Sequence, residues 1–372
     1  MDRHEAIARR LAAQQLVRPT AGRPATDTAI LDLGVQDTGR DSASWALVNR
    51  GVPLASRDEL EQDPDLALVW ALRGAPHYYR RADLLGVLDA TSPYDDADAR
   101  KRTLDAGKQL AAVGVGMRDG LEVVATAMRE VVRAPMPKGD VSGALNARLP
   151  EPYLRWCRPC GAVHLYEQPF RFGALYAGLE LTPGTSPPVL RPVPGWRRAP
   201  GPGDPGRAPA RLRVIENYLR FLGPATPNDV AAFVEAPLPL VKQHWPEAAV
   251  EVEAAGRRAW VLPDAEPAEV DDGRVWLLGP FDLFLQGRDR ELIVPDRTRH
   301  KTLWPTLGRP GGVLLGTDVV GVWRPRAAGT KLTVTVDLWQ PVPDAARVAV
   351  EDQAERLAAH RGVRLTGVQL ST

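Results

Sequence analysis

Cys157 and Cys160, with two residues between them, are followed by His164, which is the spacing of half a tetrahedral zinc site. The chain has no third cysteine, and only Glu167 stands nearby as a fourth ligand, whereas structural zinc takes four Cys or His ligands. The expectation is a buried structural pair of thiols and no metal; a redox dithiol lacks the surrounding βαβ pattern. A second set is the run 288–301, where Arg288, Arg290, Arg297, Arg299, His300 and Lys301 face only Asp289, Glu291 and Asp296. Such a local excess of cations suits a row of phosphates, so this stretch is expected to be a phosphate-contacting strand and turn, with a solvated loop as the alternative. Acidic residues gather elsewhere, at 58–65 and 264–272.

Positioning these groups requires a framework, and hydrophobic periodicity outlines one. Residues 3–16 and 41–50 read as amphipathic helices, 66–79 as two strands broken by Gly74 and Pro76, and 81–88 as a helix. A helix starts at Ser92 with Pro93 in its first turn, and Asp95, Asp96 and Asp98 act there as electrostatic caps. Stretches 120–132, 138–148 and 170–179 form a further helical set, and 182–210 is rich in Pro and Gly. Next, 211–222 is helical and Gly223-Pro224 stops it. Thr226 and Pro227 cap a second helix, 240–245 is a third, and 250–252 and 258–262 are short strands. Three helices and a two-stranded wing make a winged helix. Strands are expected at 275–278, 283–285, 291–294, 313–315, 319–324 and 331–338, before a helix at 343–359.

Composition sets the outer limits. The 372 residues exceed the usual single-domain length of about 150, so several modules are expected. The net charge of +1 neither demands nor forbids a polyanionic partner, because a binding face needs only a local excess of cations. Two cysteines cannot make a disulfide framework, and the charged N-terminus has no apolar signal region. The expectation is a soluble, cytoplasmic protein with no membrane contact.

Several motifs resemble the winged-helix family of bacterial alkylpurine DNA glycosylases that act on azinomycin-type and crosslinked lesions. They are the stretches 278–285 (LGPFDLFL), 319–324 (VVGVWR), the turn 222–226 (LGPAT), 70–77 (WALRGAPH), and Gly34-Val35-Gln36 with 44–50. The likeness spans nearly the whole chain and implies an α+β fold: tandem winged-helix modules with a β-rich C-terminal region, bent around a DNA channel. The expected division is 1–117 and 118–185 as the first two modules, 186–210 as a linker, 211–265 as the third module, and 274–372 as the β-rich part with its closing helix.

The family's catalytic signature is Gln, an apolar residue, then Gln or Asp. The matching positions here are Gln36, Asp37 and Thr38, so the first Gln is kept while the other two differ. Breaking an N-glycosidic bond builds positive charge on the sugar. Gln36 could position water, Asp37 stabilise that cation, and Thr38 serve as a donor. Alternation in an extended strand would turn Asp37 away from Gln36 unless the backbone bends at Gly34 or Gly39. Equally, 37–42 reads as a turn into a helix cap. His77 is by default a packed structural histidine, which the resemblance raises to a lesion-pocket or DNA contact. The resemblance implies a cofactor-free, monofunctional DNA glycosylase that excises N-alkylated purines from double-stranded DNA as a monomer, in DNA repair or genotoxin self-resistance. The alternative is a non-catalytic DNA-binding protein, a regulator or lesion sensor.

Overall fold

Strand β2 (Leu66–Trp70) is buried along its full length because it has a neighbour on each side: β3 (Pro76–Arg80) and β7 (Leu179–Leu181). Around it, β1 (Val35–Gln36), β4 (Met136–Pro137) and β8 (Val189–Pro192) complete a six-stranded antiparallel sheet of order β1-β3-β2-β7-β8-β4. Strands β5 (Leu154–Cys157) and β6 (Ala162–Leu165) stand apart as a hairpin. The structure is a computed structural model that describes residues 1–17, 19, 22–263 and 267–371. The expected boundary at 265 and the acidic residue Asp264 lie outside the described residues.

This sheet draws strands from both of the first two expected modules, and one hydrophobic core runs from Ala25 to Leu283 beneath it. Within the Pro/Gly-rich stretch 186–210 lies β8, with Leu190 fully buried. Its prolines fall outside the paired positions or at the strand end, where a missing N–H costs no ladder bond.

Beyond it, the helices Val214–Leu222, Pro227–Val234 and Leu238–Gln243 are followed by the antiparallel pair β9 (Val250–Ala254) and β10 (Arg257–Val261). The first carries Val214, Ile215, Tyr218, Leu219, Phe221 and Leu222 on its buried side. At the second, the Thr226 side chain accepts from the Asp229 N–H while Asp229 accepts from the Thr226 N–H, a capping box.

The C-terminal sheet has the order β11 (Val275–Leu278), β12 (Gly311–Leu315), β13 (Asp318–Ala328), β14 (Lys331–Leu338) and β15 (Arg364–Ser371). The helix Asp344–His360 crosses over to bring β15 parallel to β14. Two expected strands are absent: Leu283–Gln286 is a 3-10 turn and Arg290–Ile293 a short helix. Asp282 accepts from the Phe284 N–H and closes that turn, so the apolar run is buried without a strand partner. The class is thus α+β.

The N-terminal helix docks on the C-terminal part of the chain. The N-terminal helix Arg3–Ala13 puts Ala6, Ile7 and Leu11 into a core with Trp276 and Phe284. Arg50 and Asp282, both without solvent exposure, pair through Nη1–Oδ2 at 2.8 Å and Nη2–Oδ1 at 3.0 Å. No helix among the described residues is long and apolar enough to cross a membrane.

Candidate active site

Gln36 owes its place to a tight approach of backbone to ring. Gly34 has φ +91°, and a Cβ there would lie 2.4 Å from the Tyr79 ring, so only glycine fits. Tyr79 donates its hydroxyl to the Leu33 carbonyl at 3.0 Å, which fixes the start of β1 on β3. In this register Val35 is opposite Tyr78 and Gln36 opposite His77, so Gln36 and His77 share one face. Asp37 continues the ladder, its N–H donating to the Pro76 carbonyl at 2.9 Å. Alternation sends its side chain to the other face. There it accepts from the Ala43 N–H at 3.3 Å, and burial pushes its carboxyl up to about 6.

Arg73 sits in the turn between β2 and β3 with φ 57° and ψ 20°, a left-handed conformation that a non-glycine residue adopts at a cost. Its guanidinium is held from several sides. Nη1 donates to the Phe233 carbonyl at 3.2 Å, the group lies 4.4 Å from the Phe233 ring centre, and Nη2 donates to Gln286 Oε1 at 2.6 Å and Gln36 Oε1 at 3.3 Å. A guanidinium only donates, so the Gln36 amide is oriented with its oxygen toward Arg73. Gln36 Nε2 then donates to the Thr38 hydroxyl at 2.9 Å, which leaves that hydroxyl's own hydrogen free.

These groups open onto a cleft of about 120 Å³ lined by Gln36, Arg73, Phe281, Gln286, Arg288, Arg290, Trp304 and Arg309, among others. Among the described residues no carboxylate pairs with Arg73, Arg288, Arg290 or Arg309. Burial lowers Arg73 to about 10, with Arg288 adding to the effect. Arg290 is also lowered by burial and then by Arg288, and Arg309 by burial and then by Arg290 and Arg288. Four mutually repelling guanidiniums make a site prepared for an anion. Phe281 and Arg309 also belong to a larger neighbouring groove of about 570 Å³, lined by Thr38, Pro280, Pro310 and Pro325 as well. Gln36 and Thr38 thus stand where the two cavities meet.

Of the residues singled out in the sequence, Gln36, Arg288 and Arg290 line the small cleft and Thr38 the groove, while Asp37 lines neither. His77 is 2% exposed, and its Nδ1 donates to the Ala75 carbonyl at 2.9 Å. Burial, then the charge of Arg73, lowers it to about 3, so it is a neutral imidazole. Arg297, Arg299, His300 and Lys301 lie further along, on a 3-10 turn and a short helix. Arg297 pairs with Glu291 at 2.6 Å, and His300 donates to the Val294 carbonyl at 2.8 Å. Arg73, Arg309 and Gln286 were not singled out as site residues. The only available signal for Arg73 was its place in the 70–77 motif, because isolated Arg and Gln side chains carry no spacing.

Cys157, Cys160 and His164 converge at a separate place, on the β5–β6 hairpin, with ligand atoms all within 4.8 Å of one another. The expectation of a buried thiol pair is corrected: Cys160 is exposed, Cys157 half-buried, and both are free thiols. A hairpin of two four-residue strands, exposed along most of its length, has too little cover to bury its tip.

A chain with this architecture has the fold of a solved DNA glycosylase. The structure matches Streptomyces sahachiroi DNA glycosylase AlkZ with a TM-score of 0.72, at 20% identity and over 100% of both chains. A family model described as DNA glycosylase AlkZ-like matches residues 30–360, and the chain belongs to the AlkZ-like DNA glycosylase family. Its function is accordingly that of a DNA glycosylase and its substrate is DNA, which favours the first of the two readings of the sequence. No curated protein matches the chain.

Proposed function

We propose that the cleft around Gln36 is where a monomeric enzyme excises N-alkylated purines from double-stranded DNA. The observation that carries this is the chemistry of its lining: two pinned neutral amides, Gln36 and Gln286, four guanidiniums, and, among the described residues, no Asp, Glu, Lys or His. The guanidiniums suit the phosphates flanking a nucleotide turned out of the stack. A neutral base needs a proton before it can leave. No lining group supplies one near neutral pH, since Arg73 holds its proton to about 10 and the neighbouring imidazole of His77 takes one only near 3. An N7- or N3-alkylated purine is already cationic. Its C1′–N bond breaks with the electron pair passing to the purine, which departs neutral while the sugar takes the positive charge.

Water held by the remaining lone pair of Gln36 Oε1 then adds to C1′, and its surplus proton passes to solvent. The Thr38 hydroxyl donates into the same space, and the adjoining groove receives the alkyl substituent. Asp37 acts through the backbone by holding the turn into the helix Ser42–Val48, and His77 supports Gln36 from the opposite strand. Residues 211–265 read as a winged helix, with 1–117 and 118–185 as two related modules, 186–210 joining them to it and 274–372 the β-rich part. Arg297, Arg299, His300 and Lys301 extend the phosphate track beyond the cleft. The reading assigns the protein to the cytoplasm, in DNA repair or resistance to a genotoxin.

The test compares duplexes carrying a single N7-methylguanine or a single uracil. Release of the cationic base with an abasic site, by one protein copy per duplex, is the expected result. Uracil release at a comparable rate would refute the argument from the missing acid, and release of neither base would refute the site.

A further inference from the structure

We propose that Cys157, Cys160 and His164 form a binding site for one zinc-class divalent ion on the exposed β5–β6 hairpin, away from the cleft around Gln36. The backbone brings the three together. Cys157 pairs with Ala162 and Arg155 with His164, so Cys157 and His164 lie on the same face of the hairpin, diagonally across it. Gly161, at φ +61°, reverses the chain directly after Cys160, and its N–H donates to the Arg158 carbonyl at 3.3 Å. The result is three soft or borderline ligand atoms within 4.8 Å of one another.

Two further features suit a metal better than a bare thiol pair. His164 Nδ1 lies 2.7 Å from the Leu165 carbonyl, which can only accept. Nδ1 therefore carries the hydrogen, and in the neutral ring Nε2 presents its lone pair, the arrangement that orients metal-binding histidines. The Cys160 backbone N–H donates to the Cys157 sulfur, a contact that also suits a metal-bound thiolate. Two thiolates balance the charge of a divalent ion.

The hairpin also needs a fastener. Of its eight paired residues only Leu165 is buried, while Trp156 and Val163, opposite each other on the other face, are 65% and 46% exposed. A two-stranded hairpin with so little cover is marginal in water, and a metal would supply the missing stabilisation. Glu167, the fourth ligand the sequence suggests, is taken: its carboxylate receives Lys138 Nζ at 2.8 and 2.9 Å and Arg171 Nε at 2.7 Å. The fourth position is therefore left to water. This departs from the expectation of no metal, which rested on counting cysteines.

The test is titration of the full-length reduced protein with Co²⁺ and with Zn²⁺. One equivalent of Co²⁺ with thiolate charge-transfer and tetrahedral d–d bands, displaced by Zn²⁺, is expected. Cys160→Ser and His164→Ala should weaken uptake, while zinc should protect the hairpin from proteolysis. The proposal fails if the reduced wild-type protein takes up no metal, or if a Cys157→Ser/Cys160→Ser double variant takes up metal equally well.

Discussion

Arg73 Nη2 lies 3.3 Å from Gln36 Oε1 and 2.6 Å from Gln286 Oε1, so one guanidinium joins a strand end, a hairpin turn and the C-terminal half. A lysine would keep the charge but not the two-armed fork that holds the Phe233 carbonyl through Nη1 and both amides through Nη2. Arg73→Lys is expected to slow single-turnover excision of N7-methylguanine by roughly 10- to 100-fold through loss of alignment. A rate equal to wild type would show that the Gln36 amide needs no such anchor.

Gln36 ends β1 and Asp37 follows it, their side chains turned to opposite faces. Gln36→Ala should lower excision by about 10²-fold with DNA affinity little changed. Asp37→Asn keeps the acceptor for the Ala43 N–H and should leave excision within about threefold. Comparable losses in both variants would place Asp37 in the chemistry.

Salt dependence separates the two groups of basic residues. Arg288→Ala and Arg309→Ala remove cations that no carboxylate partners among the described residues, and each should cut the salt slope of DNA binding by roughly 0.9 for every phosphate that the arginine neutralises. Arg297→Ala, already paired with Glu291, should change it less. The reverse ranking, measured by binding across a salt series, would move the phosphate track away from the cleft.

Asp37 also makes a prediction about pH. Burial raises its carboxyl from 3.8 to about 6, so between these values the folded state holds a proton that the unfolded state has lost. Stability from this group therefore falls as pH rises through that window, by at most about 3 kcal/mol, and stays reduced above it. Asp37→Asn should be more stable than wild type at pH 8 and no more stable at pH 4. Denaturant midpoints at the two pH values decide this; a gain only at the lower pH would contradict the sign.

The Arg50–Asp282 pair joins residues far apart in the chain and is sealed from water. Removing one partner leaves a buried charge unmatched, so Arg50→Ala should cost about 3–5 kcal/mol. An unchanged denaturant midpoint would show that water reaches the site.

Much of the framework was legible in the sequence because it depends on local pattern. The helices at 214–222 and 227–234, the Thr226 cap, and strands β11 to β14 follow from periodicity, Pro and Gly placement, and alternation. Alternation alone also put Asp37 on the far side from Gln36. What the sequence could not show depends on long-range packing. Leu283 to Leu285 read as a strand, yet burial beneath neighbouring elements gave a turn, since an apolar run records burial but not the partner that supplies it. β8 was hidden by its prolines, and β15 by lacking a partner until the preceding helix carried it to β14. The cleft shows this most clearly, because Gln36, Arg73, Gln286 and Arg309 have no spacing relationship in the chain. Only folding brings them within hydrogen-bonding and electrostatic reach, and that closeness, not any one residue type, orients the amide and concentrates the positive charge.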